Sequence, residues 1–206
     1  MSADYFFYVE VKINNKWYCI NPKYPHFKYD YKKYEVLDEY EYEQEVTYWN
    51  GSRSYFSATY EKLQEIGEPI RYSELSEELK TLYKNSCEAE ENDEMLWCRP
   101  VAIDYDRLIN YIKDDEYDSH GLVHKDVLFG YRNGDIEEIY PLDHEEVKEL
   151  TPDEMKSYEY HEWDSWYGWS WGIKEVKRRA ISNVRDFFDL NYMIHDYKIR
   201  VIMIGG

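Results

Sequence analysis

Alternation of apolar and polar residues predicts strands at both ends of the chain. From Tyr5 to Ile13 every odd position is apolar, which is the period of a strand with one buried face. Asn14-Asn15 then separates this run from the apolar stretch WYCI, so an N-terminal hairpin is expected. The C-terminal stretch YKIRVIMIGG is apolar at most positions, which is typical of a strand buried on both faces.

A longer alternating stretch, EVLDEYEYEQEVTYW, predicts a strand with one packed and one solvated face. Apolar residues from Val36 to Tyr48 share the packed face, and a ladder of carboxylates shares the other. The ladder consists of Glu39, Glu41, Glu43 and Glu45. Residues 22–34 contain two prolines and many tyrosines, and we expect them to be irregular.

Helical spacing follows the Asn50-Gly51 turn. Ser52 or Ser54 can cap a helix whose apolar stripe includes Tyr60 and Leu63. Five further helices are predicted: one beginning near Ser73, one capped by Asp104, two short acidic ones of which the second opens at Thr151-Pro152, and a long one from Ile173 to Phe187.

The stretch DVLFGYRNGDIEEIY gives the strongest local turn signal. Two apolar-rich runs flank Asn133-Gly134, a dipeptide favoured in two-residue hairpin turns. The sequence therefore predicts a second hairpin here.

These elements together favour an α+β fold. Strands and helices are interspersed without a regular β-α-β-α repeat, which indicates a mainly antiparallel sheet with an N-terminal hairpin, several helices and a buried C-terminal strand. Neither an internal repeat nor a Gly/Ser-rich linker is present. We predict a single domain over residues 1–206, with any weak subdivision near residues 88–95.

The composition predicts an aromatic core. Leu, Ile, Val and Phe make up about 22% of the chain, a low value for a protein with a net charge of −18. The 24 tyrosines and 7 tryptophans can supply the missing apolar area. Four tryptophans lie in the stretch HEWDSWYGWSWG. If that stretch is extended, Trp163, Trp169 and Trp171 share a core face, and Trp166 is the one expected to be exposed and to contact a ligand.

The negative charge is concentrated in the middle of the chain. Residues 38–103 carry six Lys/Arg and sixteen Asp/Glu, and residues 104–164 carry six and nineteen. A field of this sign repels nucleic acid and anionic membranes and attracts basic partners. We therefore expect a basic or nucleic-acid-binding protein partner, without direct binding to nucleic acid or to a membrane.

The glutamate ladder is a candidate partner-binding face, but it is a poor imitation of DNA by itself. Alternate strand residues lie about 6.7 Å apart, whereas duplex DNA presents a charge about every 1.7 Å along its axis. Imitation of phosphates would need the acidic clusters at 88–94, 114–118 and 143–154 on the same face. The alternative interpretation is a solvated charged face that prevents edge-to-edge aggregation.

Cysteine usage and the N-terminus indicate a cytoplasmic protein. The three cysteines lack C-x-x-C spacing, and their odd number argues against a disulfide framework. The N-terminal residues lack the basic region and apolar run of a signal peptide. The chain also lacks an apolar stretch of about 18 residues that would span a membrane.

Two clusters are candidates for chemistry. The turn WNGSRSYF, with Ser52, Arg53 and Ser54, would bind an anion at a helix N-terminus, although helix capping is the commoner use of such serines. His120 and His124 would share a helix face and bind a metal with Asp118 or Asp126. Gly121 lies between the histidines and a fourth ligand is missing, so we expect neither a metal nor a cofactor.

The sequence favours a non-enzymatic interaction protein. An inhibitor or immunity-type (anti-defence) protein that blocks a basic or nucleic-acid-binding partner fits the charge distribution best. Nucleotide-binding, metalloprotease and nucleophile-elbow motifs are absent, which lowers the odds of an enzyme. The alternative is a binding protein or enzyme for a nucleotide or sugar phosphate, using the 50–56 turn, Trp166 and other aromatic residues. A third possibility is a hydrolase that uses His120, His124 and nearby carboxylates.

Overall fold

A computed structural model describes residues 5–21, 26–30, 32–33, 35–41, 52–54, 57–94, 99–111, 117–165 and 169–205. At residues 26, 38–41, 52–54, 57 and 58 the description covers the backbone alone. The chain divides into two compact units, residues 1–112 together with 172–206, and residues 113–171. The boundaries of these units lie at 112/113 and 171/172, and the weak subdivision near residues 88–95 stays a prediction. The single domain stays a prediction.

Ten strands and eight α-helices are present in the described part of the chain. The strands are β1 (Tyr5–Ile13), β2 (Lys16–Cys19), β3 (His26–Asp30), β4 (Glu35–Glu41), β5 (Ser52–Ser54), β6 (Glu68–Pro69), β7 (Val101–Asp104), β8 (Ser119–His124), β9 (Tyr158–Trp163) and β10 (Lys198–Gly205). The helices are α1 (Ser57–Gln64), α2 (Glu77–Leu82), α3 (Lys84–Glu91), α4 (Tyr105–Tyr111), α5 (Lys125–Asn133), α6 (His144–Glu149), α7 (Pro152–Met155) and α8 (Trp169–Leu190). None of the helices in the described ranges combines the length and apolar character needed to cross a bilayer.

The first unit is built on an antiparallel sheet with strand order β2-β1-β10-β7-β6. Strand β5 also pairs with β1, along the same edge of β1 as β2. The C-terminal strand β10 lies in the middle of this sheet, and its residues from Val201 to Gly205 are buried. The α+β class, the mainly antiparallel sheet and the buried C-terminal strand are thus confirmed. Strands β3 and β4 form a separate antiparallel pair.

Strand β1 and its turn into β2 follow the predicted hairpin. Asn14 and Asn15 adopt positive φ values of 49° and 63°, as expected for both central residues of a type I′ turn. The prediction of one buried face for β1 is wrong, because every residue from Phe7 to Val11 is buried. Tyr8, on the face predicted to be solvated, packs in a cluster with Leu79 of α2.

Several helix starts were predicted correctly from local signals. The carboxylate of Asp104 accepts a hydrogen bond from the backbone N–H of Arg107 at 3.0 Å, so it caps α4. Thr151 caps α7, which has Pro152 in its first turn. The long predicted helix is α8, and it buries Ile173, Val176, Ala180 and Phe187.

The second predicted hairpin is wrong, because residues 125–133 form helix α5. Leu128 and Tyr131, one helical turn apart, pack on the same apolar cluster. Gly134 adopts a φ of 79° and ends the helix in the left-handed conformation. An Asn-Gly pair suits both a hairpin turn and a helix end, and the period of the flanking apolar residues decides between them.

Other boundaries differ from the pattern. Residues 26–30, expected to be irregular, form β3, whose partner is the predicted strand β4. Residues 52–54, expected at a helix N-terminus, pair with β1, and α1 begins at Ser57. The helix expected near Ser73 begins as a 3₁₀ turn at Tyr72–Glu74, and Ser76 then caps α2.

The buried residues of the described part of the chain are mainly aliphatic. Of the 30 buried apolar residues, seven are aromatic, which does not support the predicted aromatic core. Exposed aromatic side chains include Tyr117, Phe129, Tyr140, Tyr160, Tyr192 and Tyr197. Tyrosine suits such positions because its hydroxyl group retains contact with water.

Candidate binding surface

The second unit carries most of the negative charge. Residues 113–171 contain 17 Asp/Glu and five Lys/Arg, a net charge of −12 out of −18. A net charge of −8 lies in residues 135–154, which we call the acidic segment. It contains nine Asp/Glu and one Lys, all within the described residues, and most of its charged side chains are exposed.

Some of these carboxylates are explained by helix capping. Asp143 opens α6 by accepting hydrogen bonds from the backbone N–H groups of Glu145 and Glu146 at 2.9 and 2.8 Å. Thr151 and Glu154 form the equivalent capping box of α7. Hydrogen bonds from the Thr151 hydroxyl and backbone N–H lower the pKa of Glu154. These residues stabilise the starts of helices, independently of any binding role of the surface.

Local ion pairs account for few of the others. Glu145 pairs with Lys148 at 2.9 Å, and Asp153 pairs with Lys156 at 2.8 Å. Both pairs are exposed, so they are weak. Among the described residues, neither Glu137 nor Glu149 has an ion-pair partner. Capping and pairing thus leave the acidic segment with a net negative, solvent-facing surface.

A small cleft, which we call the Trp163 cleft, opens beside the acidic segment. It has a volume of about 20 Å³. Its lining consists of Tyr131, Glu137, Glu138, Ile139, Tyr140, Trp163, Asp164 and Ser165. Trp163 is 5% exposed and Ile139 is buried, whereas Tyr140 is 73% exposed. The cleft therefore has a buried apolar base and an exposed aromatic residue at its rim.

Packing within the second unit positions the base of this cleft. Strands β8 and β9 form a two-stranded antiparallel sheet in which Ser119 lies opposite Trp163. The indole stacks on the His161 ring, with centroids 6.1 Å apart and planes 12° from parallel. Trp163 also packs in the apolar cluster of Leu128, Val123 and Ile139. These contacts hold the indole from both the strand and helix α5.

Asp118 accepts hydrogen bonds from two backbone amides that follow Trp163 in the chain. One of its carboxylate oxygens accepts a hydrogen bond from the Ser165 backbone N–H at 2.7 Å, and the other accepts one from the Ser170 N–H at 2.9 Å. The second bond satisfies a donor in the first turn of α8. A side-chain hydrogen bond also holds one carboxylate of the cleft, because the Tyr140 hydroxyl donates to the Glu138 carboxylate.

The histidine pair considered as metal ligands lacks the helical geometry on which that idea depended. His120 and His124 lie on strand β8, where a separation of four residues is about 13 Å, and not on one face of a helix. Each imidazole lies near a tyrosine ring, His120 near Tyr160 and His124 near Tyr158. His124 also caps α5.

Of the proposed further ligands, Asp126 Oδ2 lies 3.7 Å from His124 Nδ1, whereas Asp118 has other partners. Asp118 holds the two backbone amides described above, and Asp126 is 94% exposed in the first turn of α5. Within the described residues, no group of three or more His, Cys, Asp or Glu side chains is placed to hold a metal ion.

The other predicted site residues are only partly described. Ser52, Arg53 and Ser54 form strand β5, so the anion site expected there does not lie in the first turn of a helix. Trp166 lies outside the described residues. Of the glutamate ladder, Glu39 and Glu41 lie on β4, and Glu43 and Glu45 lie outside the described residues.

The tryptophan cluster divides between two elements. Trp163 ends strand β9 and is buried as predicted. Trp169 and Trp171 lie in the first turn of α8, where Trp169 is half-buried and Trp171 is 42% exposed. The prediction that Trp171 belongs to the core is wrong, because a helix replaces the strand alternation from which it was made.

The residues of the Trp163 cleft were not among the predicted site residues. Glu137, Glu138 and Tyr140 follow Gly134 in the run DIEEIY, which was interpreted as a hairpin strand. A pair of glutamates, the second of them two residues before a tyrosine, was the available signal. Comparison with protein-family models, curated proteins and solved structures gave no match for this chain.

Proposed function

We propose that this protein is a non-enzymatic binding protein whose acidic second unit captures a basic protein partner. The net charge of −12 on residues 113–171, of which −8 lies in the acidic segment, carries this proposal. A partner of this kind is a basic or nucleic-acid-binding protein, and capture of its cationic surface would inhibit it. The protein would act in a reducing, cytoplasmic compartment, in line with the free thiols of Cys19 and Cys87.

The charge on the acidic segment exceeds what its structural roles require. Capping of α6 and α7 uses Asp143, Glu146 and Glu154, and one lysine lies within the segment. A small domain needs a net charge of magnitude only about 2–8 to stay in solution. Concentration of the excess in one unit supports capture of a cationic surface, since such fields accelerate association with a partner of opposite charge.

Exposed aromatic residues in the same unit also support a binding role. Phe129, Tyr140 and Tyr160 are each more than half exposed. In protein–protein interfaces, the residues that contribute most of the binding free energy are often aromatic residues with polar neighbours. The second unit therefore offers aromatic contacts together with negative charge.

The salt dependence of binding to a cationic peptide tests the proposal. We expect decalysine to bind the full chain at 20 mM NaCl, with an affinity that falls at least about tenfold by 200 mM NaCl because the attraction is screened. Isothermal titration calorimetry measures both values. Absence of binding at 20 mM NaCl, or an affinity independent of salt, would overturn the proposal.

A matched pair of variants tests whether the acidic segment is the surface used. Substitution of Glu137, Glu145 and Glu149 by glutamine removes three exposed charges from the segment, and the same substitution of Glu88, Glu91 and Glu94 removes three exposed charges from the first unit. We expect the former to weaken decalysine binding about tenfold and the latter less than about threefold. Equal losses would assign binding to net charge alone.

A further inference from the structure

We infer that the Trp163 cleft binds the ammonium group of a lysine side chain on the basic partner. This inference rests on the proposed function and assigns one subsite within it. The cleft combines three features that favour binding of an ammonium group. An exposed acidic surface alone lacks this combination. The three features are a volume suited to one small group, several carboxylates and a lining of aromatic rings.

The volume of the cleft favours an ammonium group. About 20 Å³ accommodates one water-sized group, since about 10–15 Å³ is the minimum for a water molecule. An ammonium group is compact, whereas a guanidinium group is a wider planar fork. The cleft therefore fits the end of a lysine side chain better than the end of an arginine side chain.

Three acidic residues, Glu137, Glu138 and Asp164, line the cleft. An ammonium group has three N–H donors and no acceptor, so it matches a lining rich in carboxylate oxygens. Charge-assisted hydrogen bonds to carboxylates are stronger than hydrogen bonds between neutral groups. The negative acidic segment in which two of these carboxylates lie would attract the cation towards the cleft.

Aromatic residues provide a further part of the lining. Tyr131, Tyr140 and Trp163 line the cleft together with the carboxylates. Cations are attracted to the faces of tyrosine and, more strongly, tryptophan rings. Tyr140, at the exposed rim, can also cover the methylene chain of an incoming lysine, which is apolar up to its ammonium end.

Comparison of two peptides of equal charge separates the cleft from general electrostatics. Calorimetry with the full chain and with decalysine or decaarginine at 100 mM NaCl measures this preference. If the cleft binds ammonium groups, decalysine binds at least about threefold more tightly, although arginine usually makes the stronger contacts with carboxylates. Equal affinity, or tighter binding of decaarginine, would overturn the inference.

Two double variants with the same charge change locate the effect. E137Q/E138Q removes two cleft carboxylates, and E145Q/E149Q removes two exposed carboxylates of the acidic segment outside the cleft. We expect E137Q/E138Q to abolish the preference for decalysine over decaarginine and E145Q/E149Q to retain it, with both peptides weakened to a similar extent. Loss of the preference in both variants, or in neither, would overturn the inference.

Removal of the rim aromatic residue gives a test independent of charge. Y140A removes an exposed cleft residue, and Y160A removes an exposed tyrosine of the same unit outside the cleft. We expect Y140A to weaken decalysine binding about fivefold and Y160A to leave it unchanged within about twofold. Equal effects would overturn the inference while leaving the proposed function intact. The proposed function itself fails if the unaltered protein does not bind decalysine at 20 mM NaCl, or if it binds decalysine with an affinity independent of salt.

Discussion

Glu10 shows how a single charged residue is accommodated inside the main sheet. Its carboxylate is completely buried and lies opposite Arg200 in the pairing of β1 with β10. Arg200 Nε donates to Glu10 Oε2 at 2.7 Å, and the Ser76 backbone N–H donates to Oε1 at 2.7 Å. Arg200 also stacks on Trp17 at 3.9 Å from the ring centroid. Both carboxylate oxygens therefore have partners despite their burial.

Loss of the arginine should destabilise the protein strongly. We expect R200M to lower the free energy of unfolding by about 3–5 kcal/mol, because a buried carboxylate would lose its counter-charge. Urea denaturation followed by circular dichroism measures this change. The control is R185M, which breaks the exposed Arg185–Asp186 pair and should cost less than about 1 kcal/mol. Similar costs for the two variants would contradict the assigned role of Glu10.

Gly172 marks a second residue whose environment restricts it. A Cβ atom at this position would lie 2.0 Å from Thr59 Oγ1 and 3.0 Å from Thr59 Cβ. Thr59 is completely buried, and its hydroxyl has no hydrogen-bond partner within the described part of the chain. The close approach of these residues therefore needs a glycine on α8.

Substitution at this contact should be non-additive. We expect G172A to lower the free energy of unfolding by about 1–3 kcal/mol through overpacking. T59A removes the hydroxyl and the methyl group that obstruct the new Cβ, so G172A should cost less in a T59A background. Thermal and urea unfolding of the two single variants and the double variant measure this coupling. Additive costs would show that Thr59 is not the obstruction.

At the scale of elements, α8 carries a compact charge cluster on its surface. Arg178 donates two hydrogen bonds to Glu175, at 2.7 and 2.8 Å, and Arg179 donates one at 2.6 Å. The hydrogen bonds from Arg178 are the main cause that lowers the pKa of Glu175 from 4.5 to about 2, and Arg179 adds to the effect. Pairs at these helical spacings stabilise the helix in which they lie.

This pKa shift predicts a loss of stability in acid. Because the pKa of Glu175 is lower in the folded state, its contribution is complete above about pH 4.5 and disappears as the pH falls to about 2. Since both arginines are exposed, we expect E175Q to cost less than about 1 kcal/mol at pH 7 and almost nothing near pH 2. Urea denaturation at both pH values measures the difference, and a carboxyl NMR titration midpoint near 4.5 would contradict it.

Elements with one dominant local signal were predicted well from the sequence. The N-terminal hairpin, α8, and the starts of α4 and α7 depend on periodicity, capping and turn residues that lie close together in the chain. Residues 125–133 were predicted wrongly because DVLFGYRNG supports two local structures. Packing of Leu128 and Tyr131 on the cluster around Trp163 favours the helix, and this contact joins residues more than 30 positions apart.

At the scale of the whole molecule, the net charge of −18 should reduce stability through self-repulsion. We expect the melting temperature to rise between 10 and about 150 mM NaCl, because the Debye length shortens from about 30 to 8 Å. Differential scanning calorimetry measures the shift. The variant with glutamine at positions 137, 145 and 149 should show a smaller rise. A melting temperature that falls or stays constant with salt would contradict this expectation.

The α+β class, strands β1, β2 and β10 of the main sheet, the long helix and the concentration of charge in the middle of the chain follow from the sequence alone. These properties depend on residue types and on spacings of a few residues. The tertiary structure decided that β1 is covered on both faces, so that Glu10 is buried opposite Arg200. It also brought Tyr131, Tyr140 and Trp163 to one cleft. Such groupings depend on contacts between distant segments, whose register and packing a local pattern does not specify.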